Sequence, residues 1–194
     1  RSVRARSGEL RADPERVALV GYSAGAHIAL LGAASADSGT TFVGGDREYG
    51  EASEGVSAVA AFFAPVTKDG SVSTMLGLSG DVAVESAPME YASAGVLPPV
   101  LFLHGTKDGL VPHAPNSVAM FEALRAAGTP TDLRLYDGMA HEFVRLPGMM
   151  DATVHDVASF FDRHMVRSEE FAVARAEAEA VWTERVAARA ASGG

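Results

Sequence analysis

Residues 16–27 read RVALVGYSAGAH, and this stretch decides the fold of the 194-residue chain. The apolar, β-branched run at 17–20 predicts a short strand, and the Ala- and Leu-rich segment at 24–36 predicts a helix. A turn of the form Gly-x-Ser-x-Gly, from Gly21 to Gly25, joins the two. The stretch therefore predicts a strand, a tight turn and a helix in immediate succession.

The serine at the tip of this turn, Ser23, has the surroundings of a catalytic nucleophile. We expect the small residues Gly21 and Gly25 to keep the turn free of clashes, so that the serine hydroxyl stands clear of the backbone. The amide of Ala24, at the start of the helix, would then donate a hydrogen bond to an oxyanion formed beside the serine. The alternative is that Ser23 only caps the helix, a role that serine fills well.

A serine nucleophile needs a base, and the base needs an acid that fixes its tautomer. Asp108 lies in the turn after the apolar run at 99–104, and His141 lies in the loop after the run at 132–136. Loops that follow parallel strands gather at one edge of the sheet, so both side chains are expected near Ser23. The order Ser, Asp, His is that of the α/β-hydrolases, and we predict a triad of these three residues.

Two other residues compete for the roles of acid and base. Asp137 is four residues before His141 on the same loop, where we interpret it as shaping the turn. His27 lies one helical turn beyond Ser23, but no acid stands behind it, so we expect it to pack or hydrogen-bond beside the turn. His104, at the end of a predicted strand, is expected to brace the turn that carries the acid.

Composition argues against several other classes of protein. The net charge is −9 and no run of Lys and Arg forms a basic patch, so we expect no nucleic-acid partner. The apolar runs are far shorter than the ~20 residues of a membrane-spanning helix. The chain has no cysteine, and Arg145 stands where a zinc-binding helix motif needs a second His, so no metal site is expected. The compartment is undetermined, and the cytoplasm is our default guess.

The alternation of strands and helices predicts an α/β domain with a mostly parallel sheet and helices on both faces. We predict strands at 17–20, 56–63, 99–104 and 132–136, helices at 24–36, 116–127 and 151–166, and a short helix with loops at 68–97. This domain spans residues 1–166, and a helical extension follows at 167–194. We expect the extension to pack on its own domain through Phe171 and Trp182, with a homodimer contact as the alternative.

The segments at 16–27, 104–112 and 137–143 resemble the esterase/lipase branch of the α/β-hydrolases. They are similar to hormone-sensitive-lipase-like carboxylesterases, acetyl-xylan or feruloyl esterase-like enzymes and kynurenine formamidases, and Ser-Ala-Gly-Ala-His is most similar to the last two. The resemblance covers about residues 13–166. It implies the C-terminal portion of the α/β-hydrolase fold, with about four strands of its sheet.

The family places a His-Gly-Gly loop well before the serine, where it supplies a second oxyanion donor. Only 22 residues precede Ser23, and the chain begins at Arg1, so we expect that loop and the first strands to be missing. Loss of one oxyanion donor typically lowers turnover ~100- to 1000-fold. We also expect the strand at 17–20 to have an exposed edge.

The sequence thus predicts an ester hydrolase that acts on a small-molecule substrate with a short acyl chain and uses no cofactor. Tyr22, Phe63 and Met75 are candidates to contact the substrate. An amide hydrolase, of the kynurenine-formamidase or prolyl-oligopeptidase type, would use the same triad and is one alternative. The expected loss of the oxyanion loop motivates the other, an inactive fragment or interaction module.

Overall fold

The centre of the molecule is a four-stranded parallel sheet. The computed structural model describes residues 1–36, 49–50, 52–69 and 71–192. The strands, in their order across the sheet, are β1 (Ala18–Tyr22), β2 (Ala58–Phe62), β3 (Val100–Gly105) and β4 (Thr131–Tyr136). All three neighbouring pairs are parallel. The predicted α/β architecture with four strands is therefore confirmed.

The two central strands are apolar throughout because both of their faces are covered. Every residue of β2 and of β3 is buried, as expected for parallel strands with helices on both sides of the sheet. In β1, at the edge of the described sheet, Val20 is 48% exposed. The register aligns Tyr22 with Phe62 and Phe62 with Leu103, so the carboxyl ends of the strands lie side by side.

Eight α-helices surround or extend this sheet within the described ranges. They are α1 (Ser2–Ala5), α2 (Ser7–Leu10), α3 (Ala24–Ser35), α4 (Ser71–Met75), α5 (Gly80–Glu85), α6 (Ala119–Ala126), α7 (Met149–Phe161) and α8 (Ser168–Ser192). Single turns of 3₁₀-helix lie at Pro88–Tyr91 and Phe143–Arg145, and π-helical turns lie at Ala114–Val118 and Asp162–Val166. The predicted strands and main helices are all present, with ends shifted by a few residues.

Each face of the sheet has its own apolar core. Helices α3 and α6 pack on one face, where Leu30 and Leu124 meet Phe102 of β3. Helix α7 packs on the other face, where Phe160 meets Leu101 of the same strand. Neighbouring residues of β3 thus point to opposite layers, which is the alternation that a strand requires.

The expectation that the C-terminal helix packs on its own domain is wrong for most of its length. Phe171 is half-buried at the start of α8, and its ring lies 5.0 Å from the Arg167 guanidinium. From there to residue 191 every described side chain is exposed, including Trp182 at 67%. The helix lacks a continuous apolar stripe, because Arg175 and Arg185 share the side that carries Phe171 and Trp182. Along the described chain, no helix combines the length and apolarity needed to span a bilayer.

Candidate active site

Ser23 occupies a strained turn between β1 and α3. Its φ is 52°, a value that residues other than glycine seldom adopt. Its amide donates to the carbonyl oxygen of Phe62 at 2.9 Å, and its own carbonyl accepts from the amides of Ala26 and His27 at 3.0 and 3.1 Å. These three hydrogen bonds hold the turn against its backbone strain, as is common where side chains act chemically.

Only one of the two glycines of the turn lies where a larger side chain would clash. A Cβ at Gly21 would lie 2.4 Å from the Gly25 carbonyl oxygen and 2.6 Å from the Ala26 Cα. A Cβ at Gly25 would meet no atom within 4 Å among the described residues. The expectation that both glycines prevent clashes is therefore correct for Gly21 and wrong for Gly25, because strand and helix approach each other most closely at the first glycine.

The structure brings the three predicted triad residues into one chain of hydrogen bonds. The His141 Nε2 lies 3.0 Å from the Ser23 Oγ, and the His141 Nδ1 lies 2.7 Å from the Asp108 Oδ2. The carboxylate beside Nδ1 assigns the ring proton to that nitrogen. Nε2 therefore faces the serine hydroxyl as an acceptor, the arrangement that a general base requires.

Asp108 is buried in a turn that favours its ionised form. Its Oδ1 accepts hydrogen bonds from the amides of Leu110 and Val111 at 3.0 and 2.8 Å. Burial of the carboxyl opposes ionisation, but these two amides and the His141 ring outweigh it and hold the pKa of Asp108 below its ordinary value. The anion can thus stabilise a positive charge on His141.

The loops that carry Asp108 and His141 are bonded to each other. The amide of Lys107 donates to the carbonyl oxygen of Met139 at 2.9 Å. A Cβ at Gly105 would lie 2.2 Å from that same oxygen, so only glycine allows this approach. Thr106 donates through its hydroxyl to the exposed Asp137 at 3.1 Å. The structure therefore places Asp137 in the brace between the loops, and it places Asp108 against His141.

The ring of the remaining rival base, His27, is bonded to a residue outside the candidate triad. The Nδ1 of His27 is 2.9 Å from the carbonyl oxygen of Pro65, in the loop after β2. Burial lowers the pKa of His27 more than this carbonyl raises it, so the ring is held neutral inside the domain. His27 thus lies beside the turn, as predicted, and its buried ring on α3 bonds to the loop after β2.

Two of the three candidate substrate contacts lie beside the triad. The ring of Phe63 has its centroid 4.6 Å from that of His141, and its backbone has a φ of 39°. Tyr22 stacks on Phe62 at 4.4 Å and is 40% exposed. Met75, on α4, is 70% exposed and is not among the apolar side chains packed around Phe63. The positive φ of Phe63 has no signal in its sequence, which reads as a continuing strand.

The oxyanion candidate is the amide of Ala24. As the first residue of α3 it has no acceptor within the helix, since the first amides of a helix lack intrahelical partners. Ala24 directly follows Ser23 in the chain. Its N–H is therefore available to the oxyanion that would form beside the Ser23 Oγ. Within the described parts of the chain, no group of three or more His, Asp or Glu side chains is arranged to hold a metal ion.

Comparison with known proteins finds a family and several relatives. A family model described as BD-FAE matches residues 1–124. A probable isoprenylcysteine alpha-carbonyl methylesterase, ICMEL1, of Oryza sativa subsp. japonica is 33% identical over a 150-residue alignment, and the match covers 66% of this chain and 34% of that protein. The chain thus spans about a third of the length of that curated relative.

Solved structures of esterases share the fold. Esterase 2 of Thermogutta terrifontis in its apo form is 26% identical, with a TM-score of 0.67 over 82% of this chain and 59% of that one. Its propionate-bound form is 25% identical, with a TM-score of 0.67 over 82% and 60% of the two chains. A truncated carbohydrate esterase from gut microbiota, 18% identical, has a TM-score of 0.68 over 81% and 64%. The chain spans about six tenths of the length of these proteins.

Proposed function

Since the chain belongs to the BD-FAE family of α/β-hydrolase esterases, we propose that it hydrolyses carboxylic esters with Ser23 as the nucleophile. The observation that carries the proposal is the position of His141, which lies within hydrogen-bond distance of both Ser23 and Asp108. A side chain so placed can accept a proton on one nitrogen while a buried anion supports the other.

The proposed reaction uses two successive attacks on the acyl carbon. The Ser23 Oγ bonds to the carbonyl carbon while its proton passes to the His141 Nε2, and Asp108 stabilises the resulting imidazolium. The Ala24 amide donates to the tetrahedral oxyanion. Collapse of the intermediate breaks the ester bond, and His141 returns the proton to the departing alcohol. Water then attacks the acyl-enzyme with His141 again as base, which releases the acid and restores Ser23.

The proposed substrate has a short acyl chain. Phe63 lies against His141 and Tyr22 lies near Phe63, with 6.1 Å between their ring centroids, so aromatic surface borders the place where the acyl group would react. The relative from Thermogutta terrifontis was solved with propionate bound, and propionate is a short carboxylate. Met75, which is 70% exposed on α4, is the third contact that we propose.

The first experiment asks whether Ser23 is a nucleophile in the 194-residue chain. A fluorophosphonate probe is expected to label this chain once, at Ser23, and to leave Ser23→Ala unlabelled. Ser93→Ala, which changes an exposed serine in a turn, is the matched control and should be labelled like the parent chain. Labelling of Ser23→Ala at the parent level would contradict the proposal, and no labelling of the parent would favour the inactive alternative.

The second experiment measures turnover. Hydrolysis of p-nitrophenyl acetate and butyrate by the parent chain should exceed that of Ser23→Ala by about 10³-fold or more, because removal of a triad member leaves only residual catalysis. An octanoate ester in the same assay tests the preference for short chains. A dipeptide anilide and N-formylkynurenine test the amide alternative. Equal hydrolysis of the acetate ester by the parent chain and Ser23→Ala would end the proposal.

A further inference from the structure

Behind the triad lies a buried histidine that the proposed reaction does not use. His104 is the fifth residue of β3 and has no solvent-exposed surface. Its Nδ1 lies 2.6 Å from the hydroxyl oxygen of Ser117. Its Nε2 lies 2.8 Å from the carbonyl oxygen of Val111 and 3.2 Å from the Asp108 Oδ2. The ring is thus bonded on both sides and touches the proposed acid of the triad.

The partners of His104 define where its proton lies. Two acceptors face Nε2, so that nitrogen carries the hydrogen, and Nδ1 accepts the hydroxyl hydrogen of Ser117. Burial lowers the pKa of His104, against the opposing effects of the Val111 carbonyl and of Asp108, so the ring is neutral. One N–H of a neutral imidazole is therefore shared between a carbonyl and the carboxylate of Asp108.

Two imidazole rings consequently donate to the same carboxylate oxygen. The Asp108 Oδ2 accepts from His141 at 2.7 Å and from His104 at 3.2 Å, while Oδ1 accepts from two backbone amides. A rotation of the carboxylate would weaken hydrogen bonds at both oxygens at once. The oxygen that orients His141 is thus also held by a second ring, that of His104.

We propose that His104, held by Ser117, is a positioning residue that fixes the Asp108 Oδ2 for its hydrogen bond to His141. This inference rests on the proposed function, which gives Asp108 the role of acid. The ionisable groups around the His104 ring are Asp108 and His113, whose ring centroid lies 6.2 Å away on the loop before α6. His141 faces Asp108 from the loop after β4.

A histidine that positions Asp108 affects the protonation of His141, which a purely structural histidine would not do. The donor from His104 competes with His141 for the charge on Oδ2, so its removal leaves more of that charge to stabilise a protonated His141. In His104→Leu the titration midpoint of His141 should therefore move to higher pH. The loss of restraint should also lower kcat by about tenfold with little change in KM, because orientation matters most in the transition state.

Two further variants separate the hydrogen bond from the volume of the ring. His104→Gln keeps an N–H donor close to the position of Nε2 and should restore the His141 midpoint and most of kcat. Ser117→Ala removes one oxygen atom and should fold normally. It weakens His104 as a donor by removing the hydrogen bond to Nδ1, so it should give a smaller shift of the same sign. His155→Gln, on the exposed side of α7, is the control.

The experiment is an NMR titration of the imidazole rings together with the pH dependence of kcat/KM on p-nitrophenyl acetate. The acidic limb of the kinetic profile should move with the NMR midpoint of His141. An unchanged midpoint in His104→Leu and Ser117→Ala would overturn the inference, as would a His104→Gln variant that behaves like His104→Leu. If His104→Leu does not fold, the midpoint in Ser117→Ala decides the question.

The two readouts keep this inference separate from the proposed function. If the parent chain hydrolyses no ester, the proposed function fails, but the NMR midpoint still shows whether His104 acts on His141 through Asp108. If ester hydrolysis depends on Ser23 while the midpoint of His141 does not respond to His104 or Ser117, this inference fails alone.

Discussion

Replacement of Asp108 by Asn tests two roles of the carboxylate in the candidate triad, its negative charge and its control of the His141 tautomer. The side chain keeps its shape, but one carboxylate oxygen becomes an NH₂ group. The amides of Leu110 and Val111 both donate to Oδ1, so the remaining oxygen of Asn must stay there. The NH₂ group then faces the His141 Nδ1, which has to become an acceptor. The ring proton moves to Nε2, where it blocks acceptance of the Ser23 proton.

The size of the loss in kcat depends on what it would cost the Asn side chain of this variant to restore the original tautomer of His141. If Asn turned its oxygen toward His141, its NH₂ group would face two amide donors, and two hydrogen bonds to a buried turn would be lost. At about 1 to 3 kcal/mol for each buried donor left without a partner, the loss is roughly 2 to 6 kcal/mol. Each 1.36 kcal/mol is a factor of ten, so kcat should fall by about 30-fold to about 10⁴-fold. The equivalent change in other Ser-His-Asp enzymes costs about 10⁴.

The assay is hydrolysis of p-nitrophenyl acetate under saturating substrate, beside the rate of labelling by a fluorophosphonate. Asp137→Asn is the matched control, because Asp137 is exposed, bonds to Thr106 and is the rival acid. It should retain kcat within about threefold of the parent chain, as for a surface substitution away from special features. The reasoning would be refuted if Asp108→Asn kept more than a tenth of the parent kcat, or if Asp137→Asn lost more activity than Asp108→Asn.

Three further predictions concern stability, measured by far-UV circular dichroism. Gly21→Ala should destabilise the fold by about 3 kcal/mol or more, since its Cβ meets backbone atoms, whereas Gly25→Ala should change stability by less than about 1 kcal/mol; equal effects would contradict the geometry. Removal of residues 176–194 should leave the thermal midpoint of the domain within about 2 °C, because the described part of that segment is exposed; a larger drop would contradict this. The pKa of Asp108 is lowered by folding, so its stabilisation is present above the unfolded value of about 3.9 and lost as pH falls through the folded value. The difference in unfolding free energy between the parent chain and Asp108→Asn should therefore shrink from about pH 5 downward, and a constant difference would disagree.

The local sequence pattern was sufficient to predict the buried strands and the turn at Ser23. The buried strands β2 and β3 are continuous apolar runs in the sequence. The turn at Ser23 can be recognised because a strand pattern, two glycines and a helix pattern follow one another directly. The proximity of Ser23, Asp108 and His141 was predictable because parallel strands end at one edge, so residues that directly follow different strands meet there. The comparisons with esterases confirm the fold that these patterns indicated.

The features that sequence reasoning missed depend on the approach of distant segments. Gly25 looks equivalent to Gly21, and only the packing of α3 against β1 shows which of them is crowded. Ser117 is one of many serines until the structure places it against His104. The extension at 167–194 has apolar residues, but whether a helix packs depends on a complementary surface, which its own sequence does not describe.

The exposed position of α8 has a practical consequence for spectroscopy. Trp182 is the single tryptophan of the chain, and in the folded protein it already lies mostly in water. Its emission should shift little when the sheet and its two cores come apart. A fluorescence melt would then report the fraying of one helix and miss the unfolding of the domain. The same isolation makes Trp182 a useful reporter in another setting, because a blue shift of its emission at rising protein concentration would reveal a second surface closing over α8.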